Sequence, residues 1–211
     1  TIWHQGESNR PRAEEYAELF PTLIEAWRTR FEHPDMSFLF VQIAPFNYGP
    51  DGDAPRIRDS QRLTLRTPHT AMVVTTDVGD PEDIHPRQKP PVGERLALAA
   101  FARVYELEDD TALSPVPTEL RSNRPALVLF SHTGDGLRTA EGQLVGFVEG
   151  FEIRGQDGHW TPAQATVHAN TVQIESSAPL TAVRYLWSDA PVPTLFNPRG
   201  LPVSPFMLRM P

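Results

Sequence analysis

Apolar residues first recur at a helical spacing. Tyr16, Leu19, Phe20, Leu23 and Trp27 share one face when residues 11–30 are wound at about 3.6 residues per turn, so an amphipathic helix is predicted there. Asn9 stands where an N-cap belongs, Pro11 suits a first turn, and Pro21 predicts a kink near Ala17. Phe38 to Ile43 (FLFVQI) and Thr70 to Thr76 (TAMVVTT) are short continuous apolar runs, the pattern of strands buried on both faces of a parallel sheet. Thr1 to His4 reads as the end of another such strand, and nothing precedes it to start that strand, which leads to the expectation of a missing N-terminal piece. Asn47 to Pro55 is a loop by its turn residues, and an Arg-rich helix is expected over residues 56–66. After Pro91, Val92, Leu96, Ala99, Ala100 and Val104 mark a third helix.

Alternating strands and helices predict an α/β layer with a parallel sheet. The pattern changes near residue 110. Short β-rich runs follow Pro125: Ala126 to Phe130, Gln143 to Ile153, Ala165 to His168, Thr171 to Ile174 and Ala182 to Trp187. Gly, Asp and Asn punctuate them at the spacing of a sandwich or small barrel. Two domains are therefore expected, 1–110 and 111–211, with the boundary inside Glu106 to Arg124.

Composition narrows the classes. The 211 residues carry 19 Lys+Arg against 27 Asp+Glu, and the only Lys is Lys89, which argues against nucleic acid as a partner. No apolar run approaches the roughly 20 residues of a membrane helix, so no membrane partner is expected. Without Cys, disulfides, thiol catalysis and Cys-ligated zinc are excluded.

Two polar loops lie where α/β sheets gather ligands, beyond the carboxyl ends of strands. His4-Gln5-Gly6-Glu7-Ser8-Asn9 leaves a strand and enters a helix, where backbone N–H groups favour negative charge and suit an oxyanion. The plainer reading is a turn at Gly6 and a cap at Asn9. The loop from Asp77 to Pro86 sets Asp77, Asp80, Glu82 and Asp83 near His85, and a carboxylate on one imidazole nitrogen would leave the other as a general base. A solvated acidic turn is the competing reading. A calcium loop is weaker, because an EF-hand register from Asp77 needs Glu at its twelfth position and finds Gln88. Gly134-Asp135-Gly136 reads as a hairpin turn. Arg58 and Gln61 share a helix face and could reach the crevice, although exposed helix polarity explains them equally.

Several stretches together carry a resemblance: IWHQGESN at Ile2 to Asn9, Trp27-Arg28, Val41-Gln42, RDSQ at Arg58 to Gln61, DIHPRQK at Asp83 to Lys89, Val92 to Ala97, Val183 to Tyr185, Leu195 to Asn197, and GLPVSPF at Gly200 to Phe206. They resemble the sialate O-acetylesterase-like carbohydrate esterases of the SGNH hydrolase superfamily. The resemblance implies a flavodoxin-like α/β/α domain with β-rich parts, hydrolysis of O-acetyl esters on carbohydrates, a secreted or periplasmic location, and no metal or organic cofactor. By the same resemblance His85 is the catalytic His and Asp83 its acidic partner, with Glu82 and Asp80 as alternatives. Gln5, Gly6, Glu7 and Asn9 line the active site and its oxyanion hole, and Arg58 and Gln61 support it. The family's nucleophilic Ser has no counterpart here, which predicts that a missing N-terminal segment or a second chain supplies it. The alternative expectation is a non-catalytic glycan-binding protein with a vestigial triad, using Trp160, Tyr185 and Trp187 as stacking faces.

Overall fold

Three apolar runs become the parallel strands β1 (Ile2–His4), β2 (Phe38–Val41) and β3 (Thr70–Val73), hydrogen-bonded in that order. The computed structural model describes residues 1–50, 52–121 and 124–210; Asp51 of the expected loop, and Ser122 and Asn123 of the expected boundary, lie outside them. Ile2 pairs with Leu39 and Leu39 with Ala71, so the strand ends align at His4, Val41 and Val73. Parallel neighbours need crossovers. Helix α1 (Ala13–Arg30) supplies the first and α2 (Ala54–Leu63) the second, while α3 (Pro90–Arg103) follows β3.

Successive strand residues point to opposite faces, which explains why β2 is buried throughout. Phe38 and Phe40 meet Trp27 and Phe20 of α1 at ring separations of 5.7 and 5.1 Å. Leu39 turns the other way and clusters with Ala71, Ala99 of α3 and Leu113. Helices thus cover both faces, the α/β/α layering expected. Helix α1 runs unbroken through Pro21.

The chain forms two compact units, Thr1–Leu113 with Ser188–Ala190, and Ser114–Trp187 with Pro191–Pro211. The second unit contains β4 (Val116–Arg121), β5 (Ala126–Ser131), β6 (Arg138–Thr139), β7 (Val145–Val148), β8 (Phe151–Gly155) and β9 (Trp160–Pro162). It continues with β10 (Ala165–His168), β11 (Thr171–Ile174), β12 (Leu180–Tyr185), β13 (Leu195–Phe196) and β14 (Phe206–Arg209). Among the described residues they build a five-stranded sheet β4-β5-β11-β10-β7, a four-stranded sheet β14-β12-β8-β9 and the pair β13-β6. Val128, Val172 and Ile174 of the first sheet share one core with Phe151, Val183, Tyr185 and Phe206 of the second. This is a sandwich. Gly134 to Gly136 make a turn but no hairpin, since β6 pairs with β13 and not with β5.

Candidate active site

Strand β1 ends at His4, and the chain then turns sharply at Gly6. Its φ is 156°, and a Cβ there would come within 2.9 Å of Ile43 and 3.0 Å of the Gln61 amide, so glycine is required. A 3₁₀ turn over Glu7–Arg12 follows, its first hydrogen bond running from the Asn9 N–H to the Gly6 carbonyl at 2.8 Å. Asn9 does not cap the helix. It sits inside this turn, its Oδ1 accepting from Gln5 Nε2 at 2.6 Å, and α1 begins at Ala13 with no side-chain cap. The tight turn consumes the residues that the apolar period had assigned to the helix.

Gln61 holds this loop from behind. Its Nε2 donates to the Gln5 carbonyl at 3.0 Å and its Oε1 accepts from the Ile43 N–H at 3.0 Å, which ties the exit of β1 to the exit of β2. The Tyr16 hydroxyl also donates to the Gln5 carbonyl, at 3.2 Å, and burial pushes its phenol up to about 12. Arg58 lies one turn before Gln61 and is fully buried, so exposed helix polarity does not describe either residue. Its guanidinium donates to the carbonyls of Ile43, Ala44, Ser188 and Asp189 at 2.7–3.0 Å. Burial lowers its pKa to about 10.

The second loop spends its four carboxylates one by one. Asp77 takes a forked ion pair from Arg95 of α3. Asp80 accepts from the Glu82 N–H, Glu82 accepts from the Asn47 side chain at 3.2 Å, and Asp83 accepts from the N–H of His85 at 2.9 Å. Asp83 therefore meets the backbone of His85 in a tight Asx turn, and among the described residues no carboxylate hydrogen-bonds the exposed His85 ring. With their carboxylates dispersed in this way, these residues do not converge as a calcium loop requires.

A cavity of about 120 Å³ opens beyond the strand ends. His4, Ala44, Thr75 and Val78 supply the strand side, Pro86, Gln88 and Lys89 the His85 loop, and Val92 and Gly93 the first turn of α3. The structure so brings the His85 loop and the end of β1 to one mouth, in the crevice where α/β sheets bind ligands. Gln5, Gly6, Glu7 and Asn9 follow His4 in sequence and His85 precedes Pro86, but none of the five lines the cavity itself. His4 opens the first candidate loop, whereas Lys89 and Gly93 carry no chemical signal in the sequence. The His4 Nε2 lies 3.9 Å from Glu7 Oε1.

Comparison with known proteins points one way. A family model described as a carbohydrate esterase, sialic acid-specific acetylesterase, matches residues 1–102. The sialate O-acetylesterase of Mus musculus is 31% identical over 90% of this chain and 39% of its own length, and that of Homo sapiens 29% identical over 98% and 45%. The crystal structure of a carbohydrate acetylesterase from Xanthomonas citri superposes with a TM-score of 0.90 at 37% identity, covering 99% of this chain and 50% of that one. Residues 1–102 belong to this carbohydrate esterase family. The chain spans about half the length of these relatives.

The family model takes in both loops and nearly all of α3, so the cavity lies wholly within the carbohydrate esterase match. The relatives extend the likeness through the β-rich unit. In that unit Tyr185 is fully buried, its hydroxyl 3.0 Å from Thr194 Oγ1, and burial pushes its phenol up to about 12. It presents no stacking face. The Arg184 guanidinium lies 4.3 Å over the Trp160 ring.

Proposed function

We propose that the chain forms the His85 side of a carbohydrate O-acetylesterase active site, with the serine nucleophile supplied from outside these 211 residues. His85 takes the proton of the serine hydroxyl as that oxygen attacks the acetyl carbonyl. The tetrahedral intermediate collapses, the C–O bond to the sugar breaks, and His85 returns the proton to the departing sugar oxygen. Water then attacks the acetyl-serine with His85 again as base, releasing acetate and the free serine.

Asp83 is our choice to orient the imidazole, with Glu82 and Asp80 as alternatives. This role requires the carboxylate to leave its turn and meet the ring when substrate and nucleophile are present, a tightening that free enzymes commonly defer. Gln5, Gly6, Glu7 and Asn9 line the oxyanion side, where one lost donor costs about 10²–10³ in rate. The cavity suits the acyl group: at about 120 Å³ it is smaller than the roughly 150 Å³ that holds a benzene ring.

The observation that carries this reading is the His85 loop at the mouth of a small cavity, on a fold whose relatives are named acetylesterases. The test is His85→Ala in the complete protein, with acetate release measured on an acetylated glycan. Loss of a general base predicts a fall of about 10²–10⁴-fold. Unchanged release would remove His85 from the mechanism, and a wild type that binds glycan but frees no acetate would favour the non-catalytic alternative.

A further inference from the structure

We infer that Arg95 is the positioning residue of the His85 loop, a role that rests on the esterase reading above. The loop connects Val73, at the end of β3, to Pro90, at the start of α3. Most of its hydrogen bonds are local, such as Val78 N–H to Thr75, Asp83 N–H to Asp80 and Lys89 N–H to Arg87. They curl the chain without fixing it to the sheet, to which only its start is tied, the Thr75 hydroxyl donating to the Gln42 carbonyl at 2.8 Å. Asn47 anchors the middle, its N–H donating to the Pro81 carbonyl at 2.9 Å and its amide to Glu82. From Asp83 to Lys89, among the described residues, no hydrogen bond runs to the loop 44–50 or to the strands, so His85 hangs between the Asn47 anchor and α3.

The place of α3 then decides where His85 stands. Arg95 sits in the second turn of α3 and reaches back across the loop. One Nη donates to the Val74 carbonyl and to Asp77 Oδ1, both at 2.7 Å, and the other Nη to Asp77 Oδ2. The start of the loop is thereby clasped to the helix that ends it. The Arg95 and Asp77 side chains are only 11% and 23% exposed, so solvent screens this forked pair far less than an open surface bridge. Arginine is needed for the geometry: a lysine ammonium cannot serve a carbonyl and both oxygens of one carboxylate in a fixed plane.

Displacing a reacting group by about 1 Å can cost about 10²-fold in rate, and that is the scale expected here. The experiment uses the complete protein and a small chromogenic acetate ester, comparing R95Q, D77N, the double variant, R95K and H85A, with hydrogen exchange followed over residues 78–89. Expected are a kcat about 10²-fold lower in R95Q and in D77N with KM nearly unchanged, a double variant no worse than either single one, and faster exchange in the loop. R95K should fold with the charge retained and recover only part of kcat. A purely structural pair would lower the melting temperature and leave kcat per folded molecule at the wild-type value; that result, with H85A inactive, overturns the clasp alone. Full activity in H85A removes His85 from the mechanism, and the positioning role with it.

Discussion

Arg58 and Gln61 are polar side chains that behave as part of the backbone. Each is buried, and each spends its hydrogen bonds on main-chain groups from separate segments. A buried partner left unsatisfied costs about 1–3 kcal/mol. Gln61→Leu strands the Ile43 N–H and weakens the hold on the Gln5 carbonyl, so we expect a loss of about 2–4 kcal/mol in urea unfolding. Arg58→Lys should cost a similar amount despite its conserved charge, because an ammonium cannot reach four carbonyls spread over two segments. A midpoint within error of wild type for Arg58→Lys would show that charge and not the fork is what matters. The helical spacing of these two residues was legible; their partners were not, since Ser188 and Asp189 lie about 130 positions away. Gly6 is the same case, a glycine whose necessity arises from Ile43 and Gln61 and not from its neighbours in sequence.

Elements with one strong period were legible, and those defined by tertiary partners were not. Helices α1 and α3 lie close to their apolar repeats, α2 overlaps the expected Arg-rich stretch, and β10 and β11 occupy the expected runs. Gln143 to Ile153 reads as one apolar stretch, yet Glu149-Gly150 divides it into β7 and β8 of different sheets, with Gly150 at a φ of 90°. Strand β4 falls inside the expected boundary, because its pairing with β5 supplies what its own residues, including Pro117, do not signal. Helix α2 shows the same dependence at its start. Asp53 makes no side-chain cap, and Asp189 arrives from the far end of the sequence to accept from the Ala54 N–H at 2.9 Å. Asp189→Ala should therefore destabilise the first unit by about 0.5–2 kcal/mol, whereas Asp53→Ala should cost less. Gly93 offers the opposite sign. A Cβ there meets nothing within 4 Å in the first turn of α3, so Gly93→Ala should raise stability by about 0.5–1 kcal/mol in thermal melts. Gly93→Leu projects into the cavity and should reduce acetate release.

At the scale of the whole molecule, the α/β unit and the sandwich each enclose a buried tyrosine whose hydroxyl is spent on its own surroundings. Tyr16 donates to Gln5 in the first unit, and Tyr185 meets Thr194 in the second. Burial raises both phenols to about 12, so the folded chain keeps protons that the unfolded chain releases near the ordinary value of 10.0. For each phenol the unfolded state then binds fewer protons than the native one, so its contribution to stability falls as pH rises, while in the α/β unit the buried Arg58, lowered to about 10, contributes with the opposite sign. The stabilisation is intact below pH 10 and is lost between about pH 10 and 12, at up to about 1.4 kcal/mol per pH unit for each tyrosine. Urea unfolding at successive pH values, followed with phenolate absorbance, measures this directly. Tyr185→Phe should flatten the slope for the sandwich and leave that of the α/β unit, and Tyr16→Phe should shift the slope of the α/β unit upward and leave that of the sandwich, because each phenol is coupled to the opening of the unit that buries it. A slope surviving Tyr185→Phe in the sandwich would assign its alkaline instability to another group.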